Sequence, residues 1–251
     1  MKYDALEVKI FETRPQMGAA AAVDIRDRIL SLLTEKETIN MIFAAAPSQN
    51  EVLQSLAEDP LIPWQRINAY HMDEYIGLPA TAPQCFGNFL RQHLFDLVPL
   101  RSVNCIDCEA SVEEAAAKYT HLLTANPPDI VVMGIGENGH IAFNDPGFAD
   151  FQDPLLVKPV KLDAVCRQQQ VNDGCFASID EVPTHAVTLT IPTLAHADYH
   201  FCIVPTALKA QAVKATVEGP VGEACPASVL RGVPGSILYL DEASASLLSR
   251  K

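Results

Sequence analysis

Segments rich in Val and Ile alternate along the chain with segments of helical pattern, most of them more than ten residues long. The former predict strands over residues 6–11, 39–46, 66–72, 129–135, 185–191, 198–204 and 236–240. The latter predict helices over residues 17–36, 49–59, 86–98, 112–126 and 207–219. Because parallel strands need long crossover connections, the alternation predicts an α/β fold with one doubly wound, mostly parallel, Rossmann-like sheet and helices on both faces.

Nothing in the sequence divides the chain into parts. There is no internal repeat, low-complexity linker or charge block, so we expect a single domain over residues 1–251. The longest irregular segment, the Pro- and Asp-rich stretch 144–154, is predicted to be a loop within that domain.

The net charge of −13 limits the partners that the chain can bind. Nucleic acids and anionic membranes attract basic patches, so we expect neither, whereas an anionic small molecule can still bind a locally positive site. No segment approaches the roughly 18 apolar residues of a membrane span, and the charged segment 1–15 is unlike a signal peptide. Seven cysteines, an odd number, favour reduced thiols and a cytoplasmic protein.

Open parallel sheets bind ligands beyond the carboxyl ends of their strands, so chemically active residues should follow strands. Four groups do so: Ser48 after 39–46, Asp73 after 66–72, the Gly-Glu-Asn-Gly-His run 136–140 after 129–135, and Thr206 with Lys209 after 198–204. We therefore expect these groups to gather at one edge of the sheet. Asp73 and Glu74 form an adjacent acid pair there, and sequence alone leaves open whether the pair faces a substrate or solvent.

Residues 134–139, Gly-Ile-Gly-Glu-Asn-Gly, match the dinucleotide-binding pattern GxGxxG after a strand. That pattern normally opens a helix in the first βαβ unit, but here it lies past the midpoint of the chain and precedes a poor helix-forming segment. We favour a turn whose glycines let backbone N–H groups approach a ligand, with His140 placed for proton transfer at neutral pH. A tight turn without a ligand is the alternative.

Two side chains flank His140 in the sequence. Asp145 can orient the imidazole, or it can form a turn before Pro146, and Asn138 offers an amide on the other side.

Two predicted helix starts can bind an anion. Ser48, Gln49 and Asn50 open one helix, where they either cap it or form an anion site with the helix dipole. Lys209 opposes the dipole in the first turn of another helix, which favours an anionic partner over a solvated lysine.

Two residue patterns that resemble metal motifs are weak. The pair Cys105-x-x-Cys108 has no second pair downstream, and a zinc site needs about four ligands. His196 and His200 lack the glutamate of a zinc-protease motif and lead into a strand, so a structural role is expected.

The segments HMDEYIGLP (71–79) and GIGENGHIAFNDP (134–146) resemble the glucosamine-6-phosphate deaminase/isomerase family, within a fold group shared with 6-phosphogluconolactonases. The similarity covers nearly all of the chain and extends through residues 178–194 and 208–219. Lactonases usually read DER where this chain has Asp-Glu-Tyr at 73–75, and GHTAS where it has Gly-His-Ile-Ala-Phe at 139–143. The resemblance therefore favours the deaminase branch and its fold.

The resemblance implies an amino-sugar-metabolism enzyme that isomerises and deaminates a hexosamine 6-phosphate without a metal or organic cofactor. It implies that Asp73 is the base that moves a proton between C1 and C2, and that His140 opens the sugar ring. Asn138 and Asp145, where the family has mainly Asp and Glu, would support the imidazole, and Lys209 would bind phosphate. The further expected contacts with the substrate are Ser48, Gln49, Asn50, Glu74, Gly136, Gly139 and Arg167.

The chain departs from the family at the phosphate end. The usual Thr/Ser-Gly-Gly loop is replaced by AAAPSQN (44–50), and the usual phosphate-binding arginine aligns with Gly174, so Arg167 is the expected substitute. Glucosamine 6-phosphate and galactosamine 6-phosphate are both candidate substrates. The alternatives are a 6-phosphogluconolactonase-like hydrolase and a non-catalytic sugar-phosphate sensor. The resemblance also favours a homo-oligomer.

Overall fold

The computed structural model describes residues 1–162, 164–172 and 176–249. Within these residues a large sheet has the strand order β1-β2-β11-β10-β7-β3-β4-β6. Every neighbouring pair is parallel except β1 with β2. Its strands are β1 (Lys2–Tyr3), β2 (Leu6–Phe11), β3 (Ile39–Phe43), β4 (Ile67–His71), β6 (Ser102–Asn104), β7 (Ile130–Met133), β10 (Tyr199–Val204) and β11 (Ser236–Asp241).

A second, three-stranded sheet is antiparallel and has the order β5-β9-β8. Its strands are β5 (Asp73–Ile76), β8 (Val157–Lys161) and β9 (His185–Leu189). Because β5 begins two residues after β4 ends, the chain passes from the large sheet to the small one through Met72.

Helices connect the strands. They are α1 (Arg14–Leu32), α2 (Asn50–Ala57), α3 (Phe86–Leu90), α4 (Val112–Ala125), α5 (Ala164–Asn172), α6 (Ile191–Ala195) and α7 (Ala210–Glu218). Capping boxes explain two helix starts: Thr13 with Gln16 begins α1, and Ser111 with Glu114 begins α4. Short 3₁₀ turns at Pro47–Gln49 and Ala207–Lys209 lead into α2 and α7.

The large sheet has an apolar layer on each face. One cluster joins alternate residues of the strands to α1 and α2, for example Met41 of β3 to Ile25 and Leu53. The other joins the remaining strand residues to α4, α7 and the small sheet, for example Ile42 to Tyr119. Burying each large aliphatic side chain contributes about 1.5–3 kcal/mol, so these two layers hold the helices against the sheet. Every strand of the large sheet except β1 runs in the same direction, so the carboxyl ends of these strands lie on one edge.

The predicted α/β architecture, a large and mostly parallel sheet flanked by helices, is confirmed. The small antiparallel sheet was not predicted, and it contains the strand expected at 185–191. Residues 144–154 lie outside any helix or strand, as expected for a loop. The organisation of residues 1–251 as one domain stays a prediction. In the described part of the chain, every helix is too short or too polar to cross a lipid bilayer.

Candidate active site

The acid pair is split by the alternation of a strand. Asp73 is the first residue of β5, and Glu74 is the second, so their side chains point to opposite faces. The Glu74 side chain is buried and accepts hydrogen bonds from the backbone N–H groups of Tyr75 (2.9 Å), Phe86 (2.9 Å) and Gly87 (2.8 Å). It thus satisfies N–H groups that the start of α3 leaves unpaired. The prediction that Glu74 binds substrate is corrected: this carboxylate holds α3 against β5.

Asp73 lies in an electrostatic environment suited to a base. Only 8% of the residue is exposed. Burial, followed by the negative charges of Glu74 and Asp145, raises the pKa of Asp73 well above its usual value. The charge of Asp145 contributes to this shift although 72 positions separate it from Asp73 in the sequence. A carboxylate with a raised pKa is a stronger base toward a carbon-bound proton than an exposed one.

His140 is oriented by the two neighbours that were expected to support it. Its Nδ1 lies 2.8 Å from Oδ1 of Asn138 and 3.1 Å from Oδ1 of Asp145. The Asn138 amide donates from Nδ2 to the same Asp145 oxygen over 2.8 Å. Because both contacts of Nδ1 are acceptors, the proton of a neutral imidazole lies on Nδ1, and Nε2 is the nitrogen that can exchange protons with a ligand.

The glycines of the 134–139 turn make room for this imidazole. A Cβ at Gly136 would lie 2.1–2.3 Å from three atoms of the His140 ring. Gly139 has a φ of +88°, and a Cβ there would lie 2.7 Å from Sγ of Cys225. The Gly136 N–H donates to the His140 carbonyl (2.9 Å), and the Gly139 N–H donates to the Gly136 carbonyl (3.0 Å). Since these N–H groups are used within the turn, their predicted role as donors to substrate is corrected.

Two residues that sequence analysis missed tie the His140 loop to the strand that carries Asp73. Thr188 of β9 pairs with Asp73 across the small sheet, and its Oγ1 accepts the N–H of Phe143 over 3.1 Å. Asn144 is fully buried and donates to the carbonyls of Ile141 (3.0 Å) and Leu189 (2.8 Å). The position of Asn144 inside the second motif was the one signal for it.

The predicted phosphate residues flank the His140 turn from two sides. In the sheet, β7 lies between β3 and β10, so the turn after β7 has the Ser48 turn on one side and the Lys209 turn on the other. A Cβ at Gly134 would lie 3.3 Å from Oγ of Ser48, which shows how closely the His140 turn and the Ser48 turn pack. Asn50 begins α2, and Lys209 immediately precedes α7. These two helix starts therefore open onto the same edge as His140.

Gln49 does not extend into the site. Its side chain is fully buried, and its Nε2 donates to Oγ of Ser48 (3.0 Å) and to the carbonyl of Ile203 (3.2 Å). The predicted role of Gln49 in substrate binding is therefore corrected: it joins the Ser48 turn to the end of β10.

Arg167 is also used elsewhere. Its Nε and Nη2 donate to the carbonyl of Val182 over 3.1 and 2.8 Å, and Nη2 also donates to the carbonyl of Ile179. The expected substitution for the missing phosphate-binding arginine is thus corrected, because these donors already hold the 179–182 turn. The alignment position Gly174 lies outside the described residues.

A cation that sequence analysis overlooked lies beside the Ser48 turn. Arg14 begins α1, donates from Nη2 to the carbonyl of Pro47, and has its Nε 2.7 Å from Oε1 of Glu51. It therefore joins α1 to both the turn and α2.

Other polar residues near the strands are structural. His71 is fully buried, and its Nε2 accepts the N–H of Ile106 over 2.8 Å; burial lowers its pKa to about 3. His200 is buried and bonds to the carbonyl of Leu194 over 2.7 Å. Within the described ranges, the structure has no group of three or more His, Cys, Asp or Glu side chains that could hold a metal ion.

The sequence profile of the family described as glucosamine-6-phosphate isomerases/6-phosphogluconolactonase matches residues 12–238. The chain belongs to this family. Its recognition from the two motifs is therefore confirmed.

Individual relatives agree with this assignment. The glucosamine-6-phosphate deaminase of Bacillus thuringiensis (strain Al Hakam) is 36% identical over 185 residues, which are 73% of this chain and 69% of the relative. The solved structure of a monomeric glucosamine-6-phosphate deaminase is 26% identical, covers 96% of this chain and 100% of that chain, and has a TM-score of 0.85. The 6-phosphogluconolactonase of Trypanosoma brucei is 19% identical, covers 97% of this chain and 98% of its own, and has a TM-score of 0.81. At that identity the last likeness shows the fold alone.

Proposed function

We propose that the protein isomerises and deaminates a hexosamine 6-phosphate, giving a ketohexose 6-phosphate and ammonia. The observation that carries the proposal is the pairing of a buried carboxyl of raised pKa, Asp73, with an imidazole held through Nδ1 by Asn138 and Asp145. The 36% identity to a glucosamine-6-phosphate deaminase supports the same reaction.

His140 opens the sugar ring in the proposed mechanism. With Nδ1 held by acceptors, Nε2 takes the proton of the C1 hydroxyl and returns it to the ring oxygen, which leaves an open-chain aldehyde. The His140 side chain is 28% exposed, so a ligand can reach it.

Asp73 then moves a proton between two carbons. It removes the proton from C2, which bears the amino group, while the C1 oxygen takes up a proton, and an enolamine forms. It returns the proton to C1, and the C2 amine releases a proton as it becomes an imine. Water adds to C2 of this imine, and ammonia leaves. A carbon acid needs a base within about 3 Å and shielded from water, which is the setting that the burial of Asp73 provides.

The phosphate orients the sugar from its far end. We assign it to the Ser48 turn, the start of α2 with Asn50, and Lys209, because these positions combine an ammonium group with the ends of two helices. Binding at the phosphate holds the sugar equally in its ground state and its transition state, with C1 and C2 beside Asp73. No step in this sequence calls for a metal ion or an organic cofactor.

The function is tested by measuring ammonia and ketose release from glucosamine, galactosamine and mannosamine 6-phosphates. We expect at least one to react, and Asp73→Asn to abolish the reaction. Glu74→Gln is the matched control: it alters the neighbouring carboxyl, which faces α3, and should retain turnover because burial, the larger cause of the raised pKa of Asp73, remains.

The same preparation tests the alternatives. Hydrolysis of 6-phosphogluconolactone without ammonia release from any amino sugar would show a lactonase. Tight binding of the amino sugars without turnover, unchanged in Asp73→Asn, would show a sensor. Either result overturns the deaminase proposal.

The cytoplasmic location and the homo-oligomer stay predictions. Since one similar solved structure is that of a monomeric enzyme, light scattering on the purified protein is the direct test of assembly.

A further inference from the structure

Thr206 has a backbone conformation that β-branched residues avoid. Its φ is 79° and its ψ is 148°, next to a region occupied essentially by glycine alone. The residue lies between the end of β10 and the 3₁₀ turn Ala207–Lys209, and its carbonyl accepts the N–H of Lys209 over 3.1 Å. The direction in which the chain leaves the sheet toward Lys209 is therefore set at Thr206.

Asp241 holds Thr206 in this conformation. The N–H of Thr206 donates to both carboxylate oxygens of Asp241, over 3.0 and 3.2 Å. Asp241 ends β11, and it lies beside the end of β10 because Leu240 pairs with Val204.

The carboxylate of Asp241 is itself fixed. It is 6% exposed, and its Oδ1 also accepts the N–H of Ser244 over 2.7 Å. The hydroxyl of Ser244 donates back to the Asp241 carbonyl over 3.2 Å. A strained residue persists when its surroundings over-determine it, and these contacts provide that constraint.

We propose that Asp241 is a positioning residue for the phosphate end of the substrate, acting by holding Thr206 so that the turn delivers Lys209 to the site. The proposal rests on the role of Lys209 in the proposed function. When the carboxylate is lost, Thr206 relaxes toward negative φ and Lys209 moves with it. A glycine at position 206 has no conformational penalty there and so needs no such restraint.

The test compares the wild-type protein with Asp241→Asn, Thr206→Gly and the double variant. The asparagine keeps the shape but leaves one oxygen for two N–H donors. Asp129→Asn is the matched control, because Asp129 is also 6% exposed and accepts a backbone N–H, that of Asn40 over 2.7 Å, but lies at the opposite edge of the sheet. KM and kcat are measured with a reacting hexosamine 6-phosphate, and Kd with inorganic phosphate.

We expect Asp241→Asn to raise KM and the phosphate Kd about tenfold or more while kcat changes less than about threefold, as loss of uniform binding requires. The double variant should return both constants to within about threefold of wild type. Asp129→Asn should change neither constant, whatever its effect on stability.

A double variant that binds as weakly as Asp241→Asn would overturn the proposal, as would an unchanged phosphate Kd in Asp241→Asn or a loss confined to kcat. If Asp241→Asn does not fold, Asp241→Glu replaces it. Its shifted carboxylate must weaken phosphate binding when residue 206 is threonine, and must leave phosphate binding unchanged when residue 206 is glycine.

Phosphate binding separates this proposal from the proposed function. If the wild-type protein releases no ammonia but the variants change the phosphate Kd as expected, the proposed deaminase function is overturned and the positioning role of Asp241 stands. A wild-type protein that does not bind phosphate overturns the positioning role.

Discussion

The buried Glu74 gives a prediction about stability whose sign depends on two opposing effects. Burial disfavours the carboxylate, whereas the three backbone N–H groups from Tyr75, Phe86 and Gly87 favour it. Burial is the larger effect, and it raises the pKa of Glu74 from 4.5 to about 7. The perturbation that tests this balance is Glu74→Gln, which removes the titration and keeps one acceptor.

The sign follows from proton linkage. An acid whose pKa is higher in the folded chain binds its proton more tightly when folded. Its contribution to stability is complete below pH 4.5 and is lost as the pH rises through about 7. At about 1.36 kcal/mol per pH unit, the loss is about 3 kcal/mol. The charge of Glu74 also raises the pKa of Asp73. Glu74→Gln therefore reduces the pH dependence of stability that Asp73 contributes, which adds to the difference between wild type and variant.

The assay is urea unfolding at pH 5 and pH 8. The wild-type free energy of unfolding should fall about 2.5 kcal/mol more than that of Glu74→Gln between these two values, because part of the full loss already lies below pH 5. Glu114→Gln is the control, because Glu114 also caps a helix but is exposed and has a lowered pKa, so it should behave as wild type over this interval. If wild type instead gains stability relative to Glu74→Gln as the pH rises, the N–H groups outweigh burial and the reasoning is refuted.

Three further substitutions test the site. Gly136→Ala should lower kcat at least about 100-fold, because the new Cβ displaces the His140 imidazole; unchanged kinetics in a folded variant would contradict this. Thr206→Gly should raise the free energy of unfolding by about 1 kcal/mol, the relief of strain less the entropy cost of glycine, and a loss in urea unfolding would show that no strain is stored. Arg167→Met should cost about 2 kcal/mol of stability, because its hydrogen bonds to backbone carbonyls are lost, and should leave KM within about twofold of wild type. Lys209→Met should instead raise KM strongly. A large increase of KM in Arg167→Met would show that Arg167 binds the phosphate.

The central strands of the large sheet could be predicted because they are buried on both faces and show as apolar runs. Its edge strands β1 and β6 were not predicted, because they are only two and three residues long and partly exposed. The small sheet could not be predicted, for two local reasons. Strand β8 reads Val-Lys-Pro-Val-Lys, in which Pro159 and two lysines hide the strand, and β5 begins with two acids.

The site shows the same division. The sequence predicts that Asp73, His140 and Lys209 lie at one edge of the large sheet, because each of them follows a predicted strand. Glu74 and Gln49 each lie next to a predicted site residue in sequence and yet are buried, since strand alternation and the Ser48 turn direct their side chains into the protein. No local pattern showed that Arg167 had carbonyl partners 12 and 15 residues away.

The most direct test of the central claim, that Asp73 moves a proton between C1 and C2, is the reaction in H₂O of a hexosamine 6-phosphate that carries deuterium at C2, followed by NMR. We expect wild type to release ammonia and to give a ketose 6-phosphate that carries deuterium at C1. Asp73→Asn should bind the same sugar phosphate yet show neither ammonia release nor deuterium at C1. An Asp73→Asn protein that retains both within about tenfold of wild type would contradict the account.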